Sequence, residues 1–318
     1  MMKKPDFSVI IPVYNSEKAL NELTEQLFEV FNTLQRSWEL IFVDDHSSDT
    51  SWKVIQGIQQ EHPETISCYH LARNFGQHNA TLCGIQKSRA TYIITIDDDL
   101  QQSPYDIVKL VNTQKETGAE LVYGIYKNKS ENKLRRFQSR LFKVMSNKIN
   151  HSPEDGSSFR LITRRLADKV KNFSMRFVYL DDMLFWHTEA ISFIKVNHYP
   201  SKYRKSGYNT GKRANILYNL VLFNSTLPLK FMTFGGLGIS VLAAIVAIWF
   251  IFRKLVYDVP MGYTSTIVAI LFSTALIVFS LGIIGEYLRR LYLNQTGNPA
   301  YSIDTEAVSE EKKQDDAD

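Results

Sequence analysis

The sequence predicts an α/β protein: an open, mostly parallel sheet with helices on both faces, followed by two transmembrane helices. Three observations carry this. Apolar, β-branched runs alternate with helical periodicity through residues 7–126. Polar and acidic clusters fall at the carboxyl-terminal tips of four successive strands, where open α/β sheets bind their ligands. Two long apolar stretches without a charged residue then follow, 231–252 and 259–285.

The elements read in order. Residues 7–13 form a buried strand. Residues 17–34 carry a helical stripe of Leu20, Leu23, Leu27, Val30, Phe31 and Leu34, spaced to share one helix face. Strand 39–43, helix 51–60, strand 67–71, helix 79–87 and strand 92–96 follow, then a helix opened by Pro104 and a strand at 120–126. This β-α-β-α order needs crossover helices and hence parallel pairing. Segment 127–150 mixes bases with a stripe of Phe137, Leu141, Phe142, Met145 and Ile149. It suits either a solvated helix or one lying in a membrane interface. The tail from Asp304 is acidic and polar and is expected to be disordered.

Each uncharged stretch exceeds the roughly 20 residues that cross a bilayer as a helix. The domains expected are a cytosolic catalytic domain at 1–213, an amphipathic interfacial segment at 214–230, two spans within 231–285 joined by an outer loop near 253–262, and a cytosolic segment with an acidic tail at 286–318. No signal peptide is visible before the first strand. Lys202, Arg204, Lys205, Lys212, Arg213 and Lys230 precede the first span, and Arg289 and Arg290 follow the second. This places both termini in the cytoplasm, although Arg253 and Lys254 in the loop weaken the bias. Cys68 and Cys83 have no zinc-type spacing, and in the cytosol no disulfide is expected. A net charge of +4 gives a nucleic-acid partner no electrostatic support.

The strand at 92–96 ends in Asp97-Asp98-Asp99-Leu100-Gln101. If the strand geometry continues, Asp97 and Asp99 share a face and Asp98 points away. Two carboxylates with the amide oxygen of Gln101 suit Mg²⁺ or Mn²⁺, which complete their shells with water and phosphate oxygens. A metal-bound diphosphate ligand follows; the alternative is an acidic turn after an edge strand.

Four motifs then carry a resemblance: Pro12-Val13-Tyr14-Asn15, Asp44-Asp45-His46-Ser47, Arg73-Asn74-Phe75-Gly76-Gln77 and the Asp97–Gln101 run. Together they resemble the inverting glycosyltransferases of family 2, which have a GT-A fold. Asp155-Gly156-Ser157-Ser158-Phe159-Arg160-Leu161, with Gly285-Glu286-Tyr287-Leu288-Arg289-Arg290, is similar to the polyprenyl-phosphate branch, whose members transfer glucosyl, mannosyl or formamido-arabinosyl groups. The resemblance covers nearly all of 6–303. It implies a nucleotide-sugar donor, UDP-linked in the nearest branches, a polyprenyl-phosphate acceptor, a divalent cation, a bacterial inner membrane and a homo-oligomer such as a tetramer. Asp44 would contact the nucleotide base, with Pro12, Tyr14, Asn15 and Arg73 forming the donor pocket. Asp97 and Asp99, assisted by Gln101, would approach the diphosphate and metal. Asp155 would lie near the reaction centre, either as a base or as a group that orients the acceptor or the sugar; the alternative is a turn residue in Pro153-Glu154-Asp155-Gly156, with Glu154 as the other candidate carboxylate. Arg160 would help hold the site. Arg135 and Ser139 would grip the lipid phosphate, joined by Lys127, Ser206 and Tyr208.

The chain departs from the family's pattern at three places. Lys127 or Lys129 stands where an Arg is common, offering a point charge instead of a fork. Either Lys202 or Arg204 takes the Arg role before Ser206 and Tyr208. The pair Asp181-Asp182 either touches the sugar or caps a helix. His46, His78, His151 and His187 have no paired spacing for a metal. A polysaccharide synthase would carry Gln-x-x-Arg-Trp and more spans, and neither is present. A non-catalytic scaffold or flippase partner would not need Asp97, Asp99 and Asp155 intact. The absence of Gly-x-Gly-x-x-Gly after the first strand argues against a dinucleotide dehydrogenase. The sugar itself cannot be read from these motifs.

Overall fold

A computed structural model describes residues 4–126, 157–171, 180–200, 202–203, 262–295 and 299–309, with isolated positions between 238 and 256. One sheet of eight strands organises the first part. Its strands are β1 (Phe7–Val13), β2 (Trp38–Asp44), β3 (Ile66–Leu71), β4 (Tyr92–Thr95), β5 (Leu121–Tyr126), β6 (Arg160–Thr163), β7 (Ile191–Val196) and β8 (Ile303–Ala307). They lie in the order β7-β5-β6-β4-β1-β2-β3-β8. Strands β3, β2, β1 and β4 run parallel. Strand β6 is antiparallel to both β4 and β5, and β8 is antiparallel to β3.

The helices are α1 (Leu20–Leu34), α2 (Ser51–Glu61), α3 (Gln77–Lys87), α4 (Ile107–Thr117), α5 (Arg164–Lys171), α6 (Leu180–His187) and α7 (Tyr263–Gln295). The sheet buries both faces. Val9 and Ile11 of β1 pack with Leu23, Leu27 and Phe31 of α1, Ile55 of α2 and Leu110 of α4. Ile10, pointing the other way as strand alternation requires, packs with Cys83 of α3, Leu166 of α5 and Leu184 of α6. The helices on both faces expected from the sequence are therefore present. Gly84 lets α3 approach β1 closely: a Cβ there would lie 2.3 Å from Cγ2 of Ile10.

The structure corrects several boundaries. Helix α1 begins at Leu20 rather than 17, because residues 17–19 form a turn closed by the Ala19 N–H donating to the Ser16 carbonyl at 3.0 Å. Pro104–Asp106 forms a 3₁₀ turn before α4, and Gly118, at φ 66°, ends α4 in the left-handed conformation that glycine adopts without steric cost. The tail expected to lack structure from Asp304 instead pairs as β8, with Cys68 opposite Ala307 and His70 opposite Thr305. Ladder bonds and the Lys87–Glu306 ion pair at 3.4 Å offset the acidic composition.

The chain divides into two compact units, Met1–Gly207 with Gly297–Asp318, and Tyr208–Thr296. In the second, side chains are described for only part of α7 and at isolated earlier positions. Among the described residues no helix is long and apolar enough to cross a membrane, so the two expected spans are not shown. The α7 backbone is a continuous helix of 33 residues. Its described apolar side chains are largely exposed, among them Phe272 at 65%, Val278 at 62% and Phe279 at 61%.

Candidate active site

The carboxyl ends of β1, β2 and β4 meet at one edge, and each is followed by a residue in the left-handed region: Asn15 (φ 52°), His46 (φ 59°) and Leu100 (φ 57°). Such backbone costs of order 1 kcal/mol for a non-glycine residue and persists where surrounding bonds hold it. Those bonds are present. Ser47 Oγ donates to the Asp44 carboxylate and accepts the Asn15 N–H at 3.0 Å. Asn15 Oδ1 accepts the Ser48 N–H at 2.8 Å. Asp98 accepts the Tyr14 N–H at 2.9 Å and the Ser16 hydroxyl at 2.5 Å. The loop after β1 is thus fastened to the loops after β2 and β4.

Asp44 is fully buried, and His70 Nδ1 lies 2.7 Å from its Oδ2. Pro12 is buried in β1, while Tyr14 is 42% exposed at the strand tip. Asp45, to which the sequence reading gave no role, accepts the N–H groups of Phe75 and Gly76 at 2.7 and 2.8 Å. It thereby holds the Arg73–Gln77 loop at the start of α3. Burial pushes its carboxyl up to about 6, against the pull of those two N–H groups. Arg73 is exposed and stacks 4.7 Å from the Phe75 ring centre.

The acid motif differs from its expected geometry. Strand β4 ends at Thr95, and Asp98–Asp99 form a turn, so strand alternation does not govern them. Asp98 does point away, toward the β1 loop. Asp97 is enclosed by side chains: its Oδ1 accepts Gln77 Nε2 at 2.5 Å, and its Oδ2 accepts Ser158 Oγ at 2.5 Å and Gln102 Nε2 at 3.1 Å. Burial, and to a lesser degree the Asp99 and Asp98 charges, push its carboxyl up to about 6. Asp99 accepts the Gln101 backbone N–H at 3.1 Å and borders a cavity of about 140 Å³ with Asn15, Ser16, Asp49, Asp98 and Tyr203. The segment after β7 closes over this motif. Tyr199 N–H donates to Gln101 O at 3.0 Å, and Lys202 Nζ and Tyr203 OH both reach Glu22 Oε2, at 2.8 and 2.7 Å. Those two bonds hold the Glu22 carboxyl below its usual range.

Arg160 lies beneath the motif, 2% exposed. It pairs with Asp181, and its Nε donates to Thr95 Oγ1 at 3.0 Å. Tyr123 OH donates to the same Asp181 at 2.7 Å. Asp181, 5% exposed in the first turn of α6, neutralises a buried guanidinium. Removing either partner of such a pair leaves a buried charge unmatched. The Arg160 charge favours the ionised form of Asp97, against the larger upward push of burial. Asp155, Lys127, Arg135, Ser139, Ser206 and Tyr208 lie outside the described residues.

Asp97, Asp99 and the amide oxygen of Gln101 offer hard oxygen donors of the kind a divalent cation takes, and such a cation offsets the mutual repulsion of adjacent carboxylates. Among the described residues no three His, Cys, Asp or Glu side chains form a metal cluster. Their chemistry is compatible with a cation that takes further ligands from phosphate and water, while both Asp97 oxygens are hydrogen-bonded to side chains in this structure.

Comparison with known proteins bears on this arrangement. The family model described as Glycosyl transferase family 2 matches residues 8–184. An uncharacterized glycosyltransferase of Synechocystis sp. is 31% identical over 303 residues, 94% of each chain. The undecaprenyl-phosphate 4-deoxy-4-formamido-L-arabinose transferase of Proteus mirabilis is 30% identical over 301 residues, 93% of this chain and 92% of that protein. A crystal structure of mannosyl-3-phosphoglycerate synthase from Rubrobacter xylanophilus shares the fold, with a TM-score of 0.53 at 12% identity over 73% of this chain and 75% of that one. With its parallel core, its acid motif at the carboxyl edge of β4 and these end-to-end likenesses, the chain is a glycosyltransferase and belongs to glycosyl transferase family 2, in the polyprenyl-phosphate branch of that family.

Proposed function

We propose that the chain transfers a monosaccharide from a UDP-linked donor to undecaprenyl phosphate, with inversion at the sugar C1 and in a metal-dependent manner. The observation that carries this is the likeness to an undecaprenyl-phosphate sugar transferase over nine-tenths of both chains. An acceptor phosphate oxygen attacks C1 as the bond from C1 to the nucleoside diphosphate breaks, so the new bond forms on the opposite face. A phosphate monoester is largely ionised near neutral pH, so Asp155 orients groups instead of taking a proton. Asp44, Pro12, Tyr14, Asn15 and Arg73 hold the donor. Asp97, Asp99 and Gln101 would hold Mg²⁺ or Mn²⁺, which when bound stabilises charge on the leaving diphosphate. Lys127, Arg135, Ser139, Ser206 and Tyr208 receive the acceptor phosphate.

The reading places two spans in a bacterial inner membrane, with the catalytic domain cytoplasmic. Its support is the absence of charge across 231–252 and 259–285, the bases flanking those stretches, and the apolar exposure along α7, which is unusual for a surface meeting water. The test is turnover of purified protein with undecaprenyl phosphate, Mn²⁺ or Mg²⁺ and a panel of UDP- and GDP-sugars, with the lipid product weighed by mass spectrometry. One donor is expected to yield a lipid-phosphate-linked sugar. Sugar transfer to water or to a growing glycan, with no lipid product, would overturn the acceptor assignment.

A further inference from the structure

The two oxygens of the Asp97 carboxylate are held in unlike ways. Oδ2 faces inward to Ser158 and to Gln102, which is 1% exposed. The orientation of the Gln102 amide is fixed by chemistry. Its Oε1 accepts the Asp97 backbone N–H at 3.1 Å, a group that can only donate, so its NH₂ must face the carboxylate. That NH₂ also reaches Ser158 Oγ at 2.7 Å and Tyr126 OH at 3.2 Å. Ser158 is held in turn, its carbonyl accepting Thr95 Oγ1 at 2.5 Å. Gln102 thus clamps Asp97 by main chain and side chain together, and its partners are tied to β4 and β5. Oδ1, by contrast, is met by Gln77, an exposed side chain at the first residue of α3.

We propose that Gln102 and Ser158 are positioning residues that lock Oδ2 of Asp97 and so present Oδ1 to the donor, while Gln77 covers Oδ1 until the donor displaces it. The proposal deepens the reading of Asp97 as a donor contact and rests on it. It predicts effects of opposite sign, which loss of general stability cannot produce. Removing a bond to a carboxylate that must be held in place weakens binding, whereas removing a competitor for its free oxygen strengthens it.

The test is calorimetric binding of UDP with Mn²⁺ to the full-length chain. Ser158→Ala and Gln102→Leu are each expected to weaken binding about tenfold, and Gln77→Ala to tighten it roughly threefold. In an Asp97→Asn background all three effects are expected to shrink below about twofold, as coupled residues require. Ser158→Ala removes a single hydroxyl, so it remains informative if Gln102→Leu fails to fold. Loss of binding in Gln77→Ala matching that in Ser158→Ala, or losses undiminished in the Asp97→Asn background, would overturn the positioning roles. Asp97→Asn that binds UDP and Mn²⁺ as tightly as wild type would instead overturn the donor-contact reading beneath them.

Discussion

Asp182 sits beside the Arg160–Asp181 pair, and burial, with Asp181 next to it, pushes its carboxyl from 3.8 up to about 6. A carboxyl with a raised folded-state pKa binds its proton more tightly in the folded chain. Its contribution to stability is complete below about pH 4 and is lost as pH rises through about 6. Asp182→Asn is therefore expected to stabilise the protein by about 1–2 kcal/mol at pH 7, after discounting for partial exposure, and by almost nothing at pH 4. Thermal melts at the two pH values check this; an equal gain at both would assign the effect to packing. Asp99 leads to a different outcome. Asp99→Ala is expected to lower metal-dependent turnover by at least about 100-fold while the protein still fractionates with membranes; full activity would sink the metal assignment. The acid run was legible because three carboxylates at a strand tip are a local pattern. Gln77, Gln102 and Ser158 were not, because their function depends on contacts with Asp97 from 20, 5 and 61 residues away. The pairing of Asp181 was hidden for the same reason, since its partner Arg160 lies on another element.

Strands β1 to β4 were readable as elements because they are buried on both faces and spell continuous apolar runs. Strands β6, β7 and β8 were not. The four residues of β6 start with an arginine, the pattern of β7 is half exposed, and β8 carries two acids within five residues. Their pairing comes from neighbours already in place. The crossover helices depend on close fit as well as pattern. Gly84→Ala would drive a methyl group into Ile10 between α3 and β1. It is expected to destabilise the fold by about 1–3 kcal/mol, measured by chemical unfolding. Ile10→Ala removes the Cγ2 that the new methyl group would strike, so the double variant Gly84→Ala with Ile10→Ala is expected to lose less stability than the sum of the two single losses, as neighbouring residues that share one contact require.

For the whole molecule, the pairing of β8 with β3 constrains how the chain can be threaded. Residues 303–307 complete the same sheet as 7–13, so both ends of the intervening stretch must lie on one side of any membrane. The number of crossings within 208–296 is then even. Tags fused at the two termini are expected to show the same protease accessibility in sealed inverted vesicles; opposite accessibility would refute the even count. The same feature acts in time as well as in space. Cys68 in β3 finds its contact with Ala307 at a separation of 239 residues. At roughly 5–20 residues per second, the ribosome takes about 12–48 seconds to deliver that partner. Throughout that interval β3 offers unpaired N–H and C=O groups to any passing strand. A chain stalled or clipped before residue 303 keeps that edge open, so the sheet itself registers whether β8 has been made.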